Sequence, residues 1–166
     1  EKFHAMVFLG LQNSRMKDFY DIYVLSSHHS FEGSLLSQSL QATFERRHLD
    51  IPSSLLITSS SFLKMKEVQW TAFLKKFPAS FLSGIPLHLD EVVQRISSFL
   101  LPPCEALLSK EAFEKTWNPL TGEWESQSHE LAFLLKDSSL KAKGFPPVKE
   151  GIRAALQDDP EGFDLV

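Results

Sequence analysis

Apolar residues recur along this chain at helical rather than strand spacing. Phe3, Met6, Val7 and Gly10 fall on one stripe, which predicts a first helix from about Glu1 to Leu11. Gly10 is a weak helix-interior residue, and Asn13-Ser14 supply a natural stop and restart. Ser14 is then expected to cap a second helix over 15–27, whose face of Met16, Phe19, Tyr20, Ile22, Tyr23 and Leu25 is wide enough to be largely buried. His28-His29-Ser30 break the pattern. A third helix is expected from about Phe31 to Arg47, turning Leu35, Leu36, Leu40 and Phe44 inward.

The next stretch is extended. Leu55-Leu56-Ile57-Thr58 could pass for a short strand, but no partner strand is evident nearby, so it reads as a connector into a serine-rich helix start. The fourth helix, to about Phe77, carries Phe62, Met65, Val68 or Gln69, Phe73 and Phe77, with Trp70 and Leu74 alongside. Trp70 lies on that apolar stripe and is read as a core anchor rather than a base-stacking platform. Pro78 ends the helix, and Asp90 opens the next, which runs to about Leu101. Pro102-Pro103 should stop or kink it, with a short helix resuming over 104–115. Trp117 to Trp124 reads as a turn flanked by two tryptophans that fold back onto the helices. Further short helical patterns occupy 129–136 and 147–157, and Asp158 to Gly162 is acidic turn sequence expected to be mobile. The expected fold is all-α, a compact bundle of about six to eight helices.

Composition narrows the picture. A chain of 166 residues with 43% hydrophobic content can bury one substantial core, and fourteen Phe imply bulky aromatic packing. No apolar run approaches the length of a membrane span, and no secretory pattern opens the chain. The lone Cys104 excludes an intrachain disulfide and agrees with a reducing, cytoplasmic setting. Charge is uneven. Residues 1–77 hold nine Lys/Arg against seven Asp/Glu, a balance of +2, whereas 78–166 hold eight against fourteen, a balance of −6. The more basic part is where phosphate would find cations, although a dedicated nucleic-acid binder would usually be more basic still.

Chemistry is concentrated in one short stretch. On a helix starting near Ser14, Lys17 and Asp21 form an i,i+4 pair and Asp18 sits one turn beyond Arg15. Such pairs are common on exposed helices, so a purely structural, salt-bridged role stands beside a functional one. The six histidines show no ligand spacing and are read as loop or surface residues. No Gly-rich phosphate loop, Cys cluster, internal repeat or nucleophile elbow occurs.

The wording of the stretch is more telling than its charge. Glu1-Lys2, an apolar helical turn, and then Asn13-Ser14-Arg15-Met16-Lys17-Asp18-Phe19-Tyr20-Asp21-Ile22 resemble the helical segment of the AbiEii nucleotidyltransferase toxins of type IV toxin-antitoxin systems. The resemblance continues through Ala42 to Arg47, Gln69 to Leu74, Phe99 to Pro103 and the Trp117–Trp124 element, covering roughly 1–124 and leaving 125–166 as a C-terminal extension.

It implies NTP-dependent, Mg²⁺-dependent nucleotidyl transfer to an RNA or protein acceptor, with a cognate antitoxin as partner. It further implies catalytic roles for Lys2 and for Asp18 or Asp21, with Arg15 and Lys17 as nucleotide-binding cations. In that family the metal carboxylates belong to a Gly-Ser turn and an Asp-x-Asp pair on an N-terminal sheet. These 166 residues contain no Gly-Ser followed at suitable distance by Asp-x-Asp, and Asp158-Asp159 is no replacement. The expectation is therefore a C-terminal helical portion that binds no metal and is inactive alone, completed by an N-terminal half encoded upstream. The alternative is a repurposed helical module that binds protein or RNA without catalysis.

Overall fold

The structure, a computed structural model, describes residues 1–126. Five α-helices alternate with short 3₁₀ turns: α1 (Lys2–Leu9), α2 (Met16–His28), α3 (Gly33–Arg46), α4 (Ser60–Leu74) and α5 (Leu89–Ser109). The expectation of an all-α fold needs correction. Three short strands, β1 (Phe31–Glu32), β2 (Lys115–Asn118) and β3 (Glu123–Ser126), form an antiparallel sheet in that order. The helices expected over 129–136 and 147–157, and the acidic end, lie outside the described residues.

The core is built around α5, which packs against α2, α3 and α4. Its Leu89, Val92, Val93, Ile96, Phe99, Leu100, Pro103 and Cys104 are buried, repeating every three to four residues on one face. Burial pushes the Cys104 thiol up to about 12. At the start of α5, Glu67 of α4 accepts from the Leu89 amide at 3.0 Å, so a carboxylate from a neighbouring helix satisfies one orphan donor and opposes the helix dipole.

Helix α5 runs straight past the expected break. Pro102 and Pro103 lie inside it, and no short helix restarts afterwards. A proline at 103 removes the amide that would bond the Phe99 carbonyl. That carbonyl instead accepts from Trp124 Nε1 of β3 at 3.0 Å, so the sheet supplies the missing donor. The helix ends at Lys110, in the left-handed conformation at φ 57°, with Glu111 N bonded to Ala106 O.

The hairpin is more than the turn expected between two tryptophans. Trp117 pairs across the strands with Trp124, and the two rings lie 5.4 Å apart in an edge-on arrangement. Phe99 packs within 4.9 Å of both Trp117 and Phe31. Trp117 Nε1 and Arg95 Nη2 both donate to the Ser26 carbonyl, at 2.6 and 2.9 Å, in the last turn of α2, where carbonyls lack intrahelical partners. The sheet thus ties the C-terminal turn of α2 to the middle of α5.

Two faces differ from their expected stripes. On α4 the inward residues are Phe62, Lys66, Trp70 and Leu74, while Met65 and Val68 are 56% and 76% exposed. Trp70 is fully buried, as an anchor should be, and donates to the Pro86 carbonyl. On α3, Leu40 and Phe44 are buried and Leu35 is exposed. Leu55 and Ile57 bury from a 3₁₀ turn, in keeping with a connector rather than a strand.

Candidate functional site

The charged stretch sits where α1 meets the first turn of α2. Ser14 does not cap that helix. Arg15 occupies the cap position without a side-chain bond, and the turn is closed one residue earlier, by Asn13 Oδ1 accepting from Arg15 N at 2.8 Å. Asn13 is fully buried, which fixes the direction in which α2 starts.

All five residues singled out from the sequence come together here. Lys2 Nζ, from the start of α1, lies 2.9 Å from Asp21 Oδ2 and 3.4 Å from Asp18 Oδ1. Lys17 Nζ donates to both oxygens of Asp21, at 2.9 and 2.7 Å. Arg15 Nε lies 2.9 Å from Asp18 Oδ2, a charge contact that lacks hydrogen-bond geometry, so that buried oxygen carries no hydrogen bond. Lys2 is itself placed by Glu1, whose carboxylate binds Arg46 and Arg47 at the end of α3 at 2.5 and 2.6 Å.

The two aspartates are not equivalent. Asp21 has both oxygens engaged by lysines. Burial pushes its carboxyl up, but hydrogen bonds from Lys17 and Lys2 outweigh that, and the net direction is below the usual aspartate value. Hydrogen bonding to Asp21 in turn holds the Lys2 ammonium above the usual lysine range, against partial desolvation. Asp18 borders an open cleft but is only 3% exposed, and its Oδ2, which has no hydrogen bond, is buried beside Arg15.

That cleft, of about 630 Å³, opens between the first turn of α2 and the C-terminal half of α4. Its cations are Lys2, Arg15, Lys17 and Lys76, the last from the turn that follows α4. Gln69 and Phe73 of α4 complete the opposite wall. Lys76 and Gln69 were not singled out from the sequence. Their signal was spacing: 69, 72, 73 and 76 fall on one helical face, which the apolar reading of α4 overlooked. No three His, Cys, Asp or Glu side chains gather to hold a metal among the described residues, and Asp18 and Asp21 already face lysine and arginine.

Carboxylates held by cations on one helix turn thus border a cleft whose charged lining is mostly cationic. The chain belongs to the nucleotidyl transferase AbiEii toxin family of type IV toxin-antitoxin systems, whose family model matches residues 1–100. No curated protein and no solved structure matches it. The family pairs a toxin with an antitoxin. No helix among the described residues is long and apolar enough to cross a membrane.

Proposed function

We propose that this helical unit supplies the phosphate-binding wall of an AbiEii-type nucleotidyltransferase. The observation that carries the reading is the cleft lined by the four cations Lys2, Arg15, Lys17 and Lys76. In nucleotidyl transfer an acceptor oxygen attacks the α-phosphorus of an NTP, the bond to the β-phosphate oxygen breaks, and pyrophosphate leaves. Fixed cations oppose the charge that builds on the phosphoryl oxygens, and they need no reorganisation to do so. Lys2 is such a cation, held in place by Asp21. Asp18, enclosed between Lys2 and Arg15, acts through those cations as a positioning residue. Asp21 acts through Lys2 and Lys17, as a positioning residue. Arg15 and Lys17 contact the nucleotide from the same wall.

No group of three metal-ligating side chains occurs among the described residues. In this reading the Mg²⁺ carboxylates come from a sheet-bearing polypeptide with the Gly-Ser and Asp-x-Asp elements, and the helical unit without it is inactive. A second reading, a binding module without catalysis, draws on a small apolar pocket of about 130 Å³ lined by Val7, Leu55 and Leu56, with Leu56 60% exposed.

Calorimetry with each NTP separates the two. Nucleotide binding that falls at least about tenfold in Lys2→Ala, the loss of roughly one charged hydrogen bond, fits the first reading. Absence of NTP binding, alone and with the sheet-bearing polypeptide added, overturns it in favour of the module.

A further inference from the structure

Gln69 and Lys76 line the α4 side of the cleft. Lys76 lies two residues past the last turn of α4, its amide bonded to the Phe73 carbonyl at 3.1 Å, so the helical course persists to it. Aromatic rings fix that turn against α2. Tyr20 stacks on Phe77 at 5.7 Å with the planes 9° apart, and meets Phe73 edge-on at 5.8 Å. Tyr20 follows the charged turn of α2, and Phe73 and Phe77 flank Lys76, so the two walls are held at a set separation.

Their cations differ in engagement. Lys2, Arg15 and Lys17 each neutralise an aspartate, whereas Lys76 has no ion pair among the described residues. A cation that lines a cleft without a counter-ion leaves its charge available to a ligand. Gln69, two turns back on the same face, adds an amide donor.

We propose that Lys76, assisted by Gln69, binds the polyphosphate tail of the nucleotide from the α4 side, opposite Arg15 and Lys17. This rests on the reading of the cleft as the nucleotide site, and it names the part of the substrate each wall takes. Arg15 and Lys17 each face an aspartate, which leaves them less charge for a ligand and suits the α-phosphate end. The uncompensated charge of Lys76 suits the end where a triphosphate carries most of its negative charge. The aromatic clasp around Tyr20 keeps the span constant, so the site selects a chain of phosphates over a single one.

Inorganic tripolyphosphate is the probe, titrated calorimetrically into the full chain. Wild type should bind it more tightly than orthophosphate. Lys76→Ala should weaken tripolyphosphate binding about tenfold, the loss of one charge-assisted contact. Lys75→Ala, at an exposed neighbour outside the cleft, should leave it unchanged. Wild-type binding with Lys76→Ala equal to wild type overturns this inference while leaving the cleft as an anion site. A wild type that binds neither tripolyphosphate nor NTP, alone and with the sheet-bearing polypeptide added, overturns the cleft reading and this inference with it. An equal drop in Lys75→Ala marks the effect as general surface charge and also overturns the proposal.

Discussion

Asp18 and Asp21 stand three residues apart in one motif, and the structure gives them different work. Asp21 spends both oxygens on lysines, and Asp18 keeps one buried oxygen without a hydrogen bond beside Arg15. Part of that difference is legible in the sequence, since Lys17 engages Asp21 as an i,i+4 pair, and part is not, since Lys2 reaches both aspartates from α1. His4 shows a second residue-scale consequence. Burial, then the nearby Arg47 charge, holds its imidazole below the ordinary histidine value of 6.5, and its buried Nε2 has no hydrogen-bond partner. A depressed folded-state pKa means that the unfolded chain binds the proton more readily. His4 therefore contributes stability above pH 6.5 that is lost as pH falls through its folded-state value. Melting temperatures at pH 7.5 and 5.5 should show a drop on acidification that is smaller in His4→Phe. An identical drop in the variant would remove His4 as its source.

At the scale of elements, the helices were legible and the sheet was not. Amphipathic stripes locate α1 and α2 to within a few residues, because their burial follows period 3.6. Strand β1 is two residues long, and β2 and β3 four each, too short for an alternating pattern to register. Their stability comes from nonlocal aromatic contacts with Phe99 and from Trp124, which replaces the donor that Pro103 withholds from the Phe99 carbonyl. Gly33 is the clearest junction between the two systems. A Cβ there would stand 2.5 Å from the Phe113 ring and 2.6 and 2.8 Å from the Phe113 and Lys115 carbonyl oxygens, at the point where α3 starts beside β2. Two of those neighbours are backbone and cannot swing aside. Gly33→Ala should therefore destabilise by roughly 1–3 kcal/mol, read by urea denaturation. A variant as stable as wild type would show that the α3–sheet junction yields.

At the scale of the molecule, the fold brings a sequence-local charge cluster on α1 and α2 against a wall some fifty residues further on, and that meeting is what makes a cleft. The cluster could be seen in the sequence because its members lie within a few helical turns of one another. The opposing Lys76 and Gln69 share a helical face by spacing, but that this face of α4 looks at α2 shows only in the Tyr20, Phe73 and Phe77 packing. The second open cleft, of about 510 Å³ and bordered by Glu45, Asp50, Lys110 and Glu111, has the opposite balance of charge and is the natural control. The most direct test of the account is hydrogen–deuterium exchange of the full chain with and without a saturating NTP, with the sheet-bearing polypeptide present. The account predicts added protection confined to the amides of 14–18 and 69–77 within the described residues. Protection at 45–51 and 107–112 instead, or at none of these segments, would contradict it.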